Sequence, residues 1–229
     1  MSTRRTAILP ILAKFAAGFL IAVIAVILLY RFVPPPFSTL MVANKLAGRT
    51  IKHKWTPLEQ ISPHLVRAVI TSEDGRFCRH WGVDWAEVED ALERAEETGK
   101  GPRGASTIPM QTIKNLFLWQ SRSYLRKAVE IPLAYLATIL WPKRRMIEIY
   151  LNIAEWGPGI FGAQAAARHH FRRNAAKLTR AQAAQLAAAL PNPHVRNAGR
   201  PGPRTRALAR RIAARARKAP APLDCIYPE

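Results

Sequence analysis

Acidic residues are scarce in this 229-residue sequence, which has 15 Asp and Glu against 35 Lys and Arg and a formal net charge of +20. Such an excess of positive charge indicates an anionic partner, namely nucleic acid, anionic lipid head groups or a phosphate-bearing substrate. Four of the basic residues lie in or beside an apolar N-terminal segment, so most of the excess belongs to the rest of the chain.

Period-two alternation of apolar and polar residues is also rare, which argues against a series of β-strands. Ala, Leu, Gln and Arg dominate instead, and helix signals are frequent. We therefore predict an all-α fold without internal repeats. Capping residues, prolines and apolar periodicity place its helices at residues 62–70, 84–97, 107–118, 125–140, 144–154 and 179–191, with a basic helix from about residue 204.

The sequence has only two cysteines, Cys78 and Cys225, and they are far apart along the chain. They could pair in an oxidising compartment, but spacing alone does not decide this. Because Cys78 lies inside an acidic motif, we expect a packed free thiol rather than a bridge.

The N-terminus carries one long apolar run. Residues 7–32 are apolar apart from Lys14 and Arg31, and about 20 such residues span a bilayer as a helix. A cleaved signal peptide is the alternative, but its apolar region would be about 7–15 residues long and followed by small residues. We predict a cytoplasmic N-terminus and transmembrane helix in residues 1–33, a proline-stiffened linker at 34–48 and a single domain at 49–229.

The basic residues around this run predict its orientation. Arg4, Arg5 and Lys14 precede or enter the run, whereas only Arg31 follows it closely. The positive-inside bias then places the N-terminus in the cytoplasm and the domain outside. Nucleic acid becomes the least expected of the three anionic partners.

Residues 73–82 are the most informative segment, because they place Glu73, Asp74 and His80 between an apolar helix and a glycine-containing turn. The two acids lie near the C-terminal end of that helix, where the macrodipole disfavours anions. Their position indicates a functional reason for them, and the alternative is an ordinary solvated turn.

A second group of charged residues follows at Arg126, Lys127 and Glu130. On a helix, Arg126 and Glu130 are i, i+4 neighbours on one face. The alternative to a functional cluster is a surface ion pair worth about 0.3–0.5 kcal/mol.

Four sequence patterns occur in a fixed order along the domain. They are Glu-Asp-x-x-Phe-x-x-His-x-Gly, Gly-x-Ser-Thr-Ile-x-x-Gln, Arg-Lys-x-x-Glu and Lys-x-x-x-x-Glu-x-Tyr-Leu-Asn, and a glycine-containing segment follows at 157–171. This set resembles the peptidoglycan glycosyltransferase family, which polymerises lipid II into glycan strands. The resemblance covers essentially the whole domain, and it is greatest to the monofunctional branch, which has no transpeptidase domain.

The resemblance implies a lysozyme-like helical glycosyltransferase domain and inverting transfer that forms β-1,4 linkages and releases undecaprenyl pyrophosphate. It implies that Glu73 is the general base for the acceptor 4-hydroxyl and that Glu130 is the second acid, on the donor side. Glu130 either steers the leaving pyrophosphate through partners or organises the basic residues. It assigns to substrate binding Lys114, Arg122, Arg126, Lys127, Ser106, Thr107 and Gln111. Residues expected to support the first motif are Asp74, Phe77 and His80.

The resemblance also implies partners and a location. The expected partners are lipid II, the growing glycan strand and the membrane with its anionic lipids, and cell-division or cell-wall synthases are further candidates. The family's monofunctional members in Gram-negative bacteria are single-pass inner-membrane proteins with a periplasmic catalytic domain. A divalent cation, magnesium or manganese, is allowed at the pyrophosphate, but no cluster of metal ligands is evident in the sequence.

One residue departs from the family pattern, and two other functions stay open. Met110 stands where most members have the first of two glutamines, and we expect it to pack inward.

A lysozyme-like hydrolase would share the fold and a catalytic glutamate, but it would not need cations around a pyrophosphate. A non-catalytic membrane-anchored scaffold would act through the basic C-terminal helix.

Overall fold

The computed structural model describes residues 3–99, 101, 104–121, 123–218 and 222–227. The chain divides after Pro35 into two compact units. The first contains a single helix, α1 (Thr3–Tyr30). Among the described residues, no helix is long and apolar enough to cross a membrane, so the anchor expected in residues 1–33 stays a prediction.

The second unit is mainly helical. Its helices are α2 (Thr39–Leu46), α3 (Pro63–Glu73), α4 (Trp85–Thr98), α5 (Ile108–Phe117), α6 (Tyr124–Leu140), α7 (Lys143–Ile153), α8 (Ala163–Phe171), α9 (Arg180–Ala189) and α10 (Pro203–Lys218). Its strands are β1 (Lys52–His53), β2 (Glu155–Gly157) and β3 (Ile160–Phe161). The helices predicted from capping and periodicity all form, with ends that differ by a few residues.

Helix α2 lies inside the segment that we expected to be a linker. The buried Ser38 caps it by accepting a hydrogen bond of 3.2 Å from the backbone N–H of Met41. The hydroxyl of Thr39 donates to the carbonyl oxygen of Leu118 at 2.7 Å, just after α5. The cap is local, whereas the contact of Thr39 joins residues 38–46 to the rest of the helical unit.

The core of the unit is built around two helices. Helix α9 packs against α3 and α10, and helix α5 packs against α6 and α7. The alanines of α9 allow its neighbours to approach closely, since their small side chains are fully buried at positions such as Ala183 and Ala187. The core therefore holds the apolar faces of α3, at whose last residue the first motif begins, and of α5, whose first turn contains the end of the second motif.

A small sheet was not expected from the sequence. Strand β1 pairs parallel to β3, and β2 pairs antiparallel to β3. Gly159, between β2 and β3, has φ +73°, and a Cβ there would collide with the carbonyl oxygen of Thr50. Strands of two or three residues are too short to produce a period-two pattern, so the all-α prediction missed them.

The two cysteines form a disulfide, so the prediction of a free thiol at Cys78 is wrong. Cys78 and Cys225 are bonded with a Cα–Cα distance of 5.7 Å and a sequence separation of 147. The C-terminal segment returns to the first motif, where Ile226 is fully buried and its carbonyl oxygen accepts a hydrogen bond from Arg144 at 3.0 Å. This return is a tertiary contact that the spacing of the cysteines does not reveal.

Candidate active site

Glu73 is the last residue of α3, which directs its carboxylate into a cleft. Gln111 of α5 donates a hydrogen bond from Nε2 to Oε2 of Glu73 at 3.2 Å. Burial raises the pKa of Glu73, and the bond from Gln111 acts in the opposite direction. No Lys or Arg among the described residues forms an ion pair with it. A carboxylate held by a neutral amide keeps its capacity to accept a proton.

Asp74 connects the end of α3 to the start of α5. Its side chain is buried, and Oδ1 lies 2.8 Å from Nε2 of His80. Oδ2 accepts a hydrogen bond of 2.9 Å from the backbone N–H of Ile108. Both oxygens are thus engaged within the protein, which holds the turn after Glu73 in place.

Lys143, the first residue of α7, binds backbone carbonyl groups of the segment that follows this turn. Its ammonium donates to the carbonyl oxygens of Phe77 and His80 and lies 4.5 Å from the centre of the buried Phe77 ring. Burial lowers the pKa of Lys143 to about 8, and the charge of Asp74 opposes this shift. Sequence reasoning did not select Lys143 as a site residue, although it opens the fourth pattern.

The glycine that ends the first motif has a steric role. Gly82 has φ +117°, and a Cβ there would lie 3.0 Å from the carbonyl oxygen of Ala134 in α6. The hydroxyl of Thr107, the N-cap of α5, donates to the carbonyl oxygen of Gly82. The first motif therefore touches α6 directly, and α6 carries the second acid.

Glu130 lies within a buried cluster of opposite charges. Its side chain is 2% exposed and pairs with Arg126 of the same helix. The ammonium of Lys127 lies 2.8 Å from its other carboxylate oxygen. The predicted i, i+4 contact is confirmed, but the surface ion pair alternative is wrong because packing of α6 onto α5 buries the carboxylate.

A cavity of about 250 Å³ adjoins this cluster. It is lined by Ser106, Gln111, Lys114, Gln120, Arg126 and Glu130. Burial lowers the pKa of Lys114, and the charge of Glu130 raises it in opposition. Within the described part of the chain, no group forms a hydrogen bond or ion pair with the Lys114 ammonium. A partly buried cation without a protein partner is suited to an anionic ligand.

A larger cavity, of about 450 Å³, lies on the Glu73 side. Its lining includes Ser106 and Thr107. Because Ser106 also lines the cavity at Glu130, the two cavities adjoin there. The ammonium of Lys127 lies 3.2 Å from Oγ of Ser106. Glu73 and Glu130 thus line two neighbouring cavities that share Ser106.

The remaining predicted residues are placed as follows. Arg122 lies outside the described residues. Met110 is 1% exposed, so the expectation that it packs inward is confirmed. Several large apolar side chains close in sequence to residues of the Glu130 cavity are exposed, namely Trp119, Tyr124, Leu125 and Val129.

The donor atoms at the Glu130 side do not fit a divalent cation. Such an ion needs several oxygen ligands, but both carboxylate oxygens of Glu130 face cationic side chains. Both oxygens of Asp74 are also engaged. The described residues contain no group of three His, Cys, Asp or Glu that could hold a metal ion. We therefore assign no step to a metal.

Comparisons with known proteins agree with one another. The family model named Transglycosylase matches residues 41–217. A biosynthetic peptidoglycan transglycosylase of Rhizobium meliloti is 53% identical over 192 residues, covering 84% of this chain and 81% of the relative. A protein of the same name from Rhizobium etli is 50% identical over 226 residues, 95% of each chain. With a family match over most of its length and relatives of this similarity, the chain belongs to the transglycosylase family.

Proposed function

We propose that this protein is a peptidoglycan glycosyltransferase that polymerises lipid II into β-1,4-linked glycan strands. The reaction inverts the anomeric carbon of the donor and releases undecaprenyl pyrophosphate. Family membership and the names of the relatives support the reaction class. The arrangement of the two acids in the cleft supports the assignment of roles within it.

The observation that carries the proposal is the contrast between the two carboxylates. Glu73 is held by the neutral amide of Gln111, whereas Glu130 is surrounded by Arg126 and Lys127. The first environment suits a proton acceptor, and the second organises cations. Lys114 adds a cation that no described group of the protein engages. Transfer from a pyrophosphate donor requires both environments in one cleft.

On the Glu73 side, the chemistry is general base catalysis. The Glu73 carboxylate takes the proton of the acceptor 4-hydroxyl as that oxygen forms a bond to the anomeric carbon of the donor. Attack opposite the departing group converts an α-linked pyrophosphate into a β-1,4 linkage. The protonated Glu73 then returns its proton to solvent through the open cleft.

On the Glu130 side, the bond from the anomeric carbon to the pyrophosphate oxygen breaks, and negative charge develops on the leaving group. In this proposal Lys114, Arg126 and Lys127 stabilise that charge as it forms. Glu130 touches two of these cations, so its role is to fix their positions. Arg122, which we expected on this side, is proposed as a fourth cation from the family pattern alone.

A polymerisation assay with purified lipid II tests the function. We expect the full chain to produce glycan polymer that a muramidase digests to disaccharide units, as a β-1,4 linkage requires. If lipid II stays unpolymerised, or if the protein instead releases soluble fragments from preformed peptidoglycan, the proposal fails. The second outcome would favour the hydrolase, for which a cation cluster beside Glu130 has no use.

Lys114→Met should lower kcat/KM for lipid II polymerisation by about a hundredfold, because a preorganised charge at the leaving group is lost. The substitution keeps an unbranched side chain of similar size in place of the apolar stem of lysine, so the fold should persist. The measurement is steady-state polymerisation at several lipid II concentrations.

Lys177→Met is the matched control for this substitution. Lys177 is exposed at the end of the short 3-10 turn Ala175–Lys177, away from both cavities, and its loss should leave kcat/KM unchanged. Equal rates for Lys114→Met and the wild-type protein would show that Lys114 does not stabilise the leaving pyrophosphate.

We also propose that residues 1–33 anchor the chain in the bacterial inner membrane, with the catalytic unit in the periplasm. The charge-free sequence of residues 15–30 supports an anchor. The exposed Trp119, Tyr124 and Leu125 provide apolar surface of the kind that contacts a membrane interface. Extraction of membranes with alkaline carbonate tests this. The full chain should stay with the membrane, and its release into the soluble fraction would contradict the anchor.

A further inference from the structure

Tyr150 of α7 makes a hydrogen bond that the mechanism above does not use. Its side chain is 1% exposed, and its hydroxyl donates to Oε1 of Gln111 at 3.0 Å. The amide nitrogen of Gln111 donates in turn to Glu73 at 3.2 Å and to the carbonyl oxygen of Ser106 at 3.1 Å. Every polar atom of the Gln111 side chain therefore has a partner of the right kind.

The orientation of the Gln111 amide has a direct consequence for Glu73. If the amide rotated by half a turn, its oxygen would face the Glu73 carboxylate and the Ser106 carbonyl, which are both acceptors. Burial raises the pKa of Tyr150 well above its ordinary value, and the charges of Glu73 and Asp74 add to this. The phenol thus keeps the proton that it donates to Gln111.

We propose that Tyr150 is a positioning residue for the general base, because it holds the Gln111 amide with its N–H groups towards Glu73. The inference rests on the proposed function, in which Glu73 must be ionised to act. A hydrogen bond donated to a carboxylate favours its charged form, whereas burial disfavours it. Tyr150 acts through Gln111 and does not touch the reacting atoms. The chain of bonds from phenol to amide to carboxylate polarises each member, which strengthens the last bond.

The other charged groups around Glu73 do not depend on the hydrogen bond from Tyr150 to Gln111. Asp74, Arg196 and Lys114 interact with Glu73 electrostatically. The charged side chains that line the same cavity are Arg76, Asp84, Glu87, Asp90 and Arg215. Removal of the Tyr150 hydroxyl leaves all of these charges in place. A change in the pKa of Glu73 would therefore report on the series of hydrogen bonds from Tyr150 through Gln111 to Glu73, which we call the relay.

The test is the pH profile of kcat/KM for lipid II polymerisation by the full-length Tyr150→Phe variant. We expect the acid limb of the profile to move to higher pH by about one unit, which corresponds to a weakened hydrogen bond to the carboxylate. The rate on the alkaline side should approach that of the wild-type protein. Tyr135→Phe is the matched control, because it removes a hydroxyl that accepts a hydrogen bond from Trp85 at 2.6 Å and should leave the limb in place.

Gln111→Leu tests the same role of Tyr150 if Tyr150→Phe folds poorly. Gln111→Leu removes the middle of the relay and should move the acid limb in the same direction, and adding Tyr150→Phe to it should cause no further movement. An unmoved limb in either single variant, or additive movements in the double variant, would overturn the inference. The proposed function would survive that result, because it is tested separately by whether the wild-type protein makes polymer from lipid II.

Discussion

Replacement of Glu73 by Gln should reduce lipid II polymerisation by about a thousandfold, the usual contribution of a general base. The amide that replaces the carboxylate has nearly the same shape, and its oxygen can still accept the hydrogen bond from Gln111. What the variant loses is the ability to take a proton from the acceptor hydroxyl. The measurement is the initial rate of polymer formation, alongside lipid II binding by the same protein.

Two further results decide whether this loss is chemical. Lipid II binding should persist in Glu73→Gln, and Glu89→Gln, at an exposed position of α4, should leave the rate unchanged. A variant that polymerises at the wild-type rate would remove Glu73 as the base. Loss of binding together with activity would instead assign Glu73 a structural role.

The direction of the pKa shift at Glu73 adds a pH dependence to this result. Burial raises the pKa above the ordinary value of 4.5, and the base acts only in its ionised form. Activity should therefore fall as the pH decreases through a value above 4.5, because protonation removes the base. This limb should be absent from the residual activity of Glu73→Gln.

Replacement of Cys225 by Ser should lower the free energy of unfolding by about 4 kcal/mol, since the disulfide closes a long loop and so restricts the unfolded chain. The sequence separation of 147 residues puts it among long loops. For a domain of this size the loss corresponds to a fall of about 10 °C in Tm. Thermal unfolding followed by circular dichroism measures it.

Reductant provides the control for the disulfide. Under reducing conditions the wild-type protein should unfold at the same temperature as Cys225→Ser, and the variant itself should not respond. A wild-type protein with two titratable thiols, or one whose Tm ignores reductant, would contradict the bridge. Because Cys78 lies in the turn between Glu73 and His80, we also expect the variant to polymerise more slowly near its Tm.

Much of the helical fold was predictable because its signals are local. The Ser-Pro pair before α3 places a side-chain cap and a first-turn proline, and the structure begins α3 at Pro63 with Ser62 as the cap. Thr179 likewise caps α9, in a capping box with Gln182. Such signals depend only on neighbouring residues, so they can be recognised from the sequence alone.

Other elements depend on distant partners and were missed. Helix α2 has the buried cap Ser38 and is held to the unit by the contact of Thr39 with Leu118. The sequence of this segment does not distinguish such a helix from a linker of the same composition. Strand β1 pairs with β3 across more than a hundred residues. The strands have no pattern of their own, because two or three residues cannot display a period.

The candidate site divides in the same way. The order of the motifs was sufficient to name Glu73, Gln111, Lys114 and Glu130. In the structure, Glu73 lines one cavity and the other three line its neighbour, and Gln111 is hydrogen-bonded to Glu73. The burial of Glu130 was not predictable, since i, i+4 spacing is the same on a solvated helix. Tyr150 lay within a recognised pattern, but nothing in that pattern indicates a contact with Gln111 from another helix.

The sequence by itself determined the positive charge, the main helices and the ordered motifs that identify the family, because each of these depends on composition or on neighbouring residues. Only the tertiary structure decided the bridge between Cys78 and Cys225, the burial of Glu130 and the relay from Tyr150 to Glu73. Each of those needs segments that are distant in the chain to meet with their polar groups matched. Packing of α5 against α6 and α7 accounts for the burial of Glu130 and for the contact of Tyr150 with Gln111, and the return of the C-terminal segment to Cys78 accounts for the bridge. No local propensity encodes either of these long-range contacts.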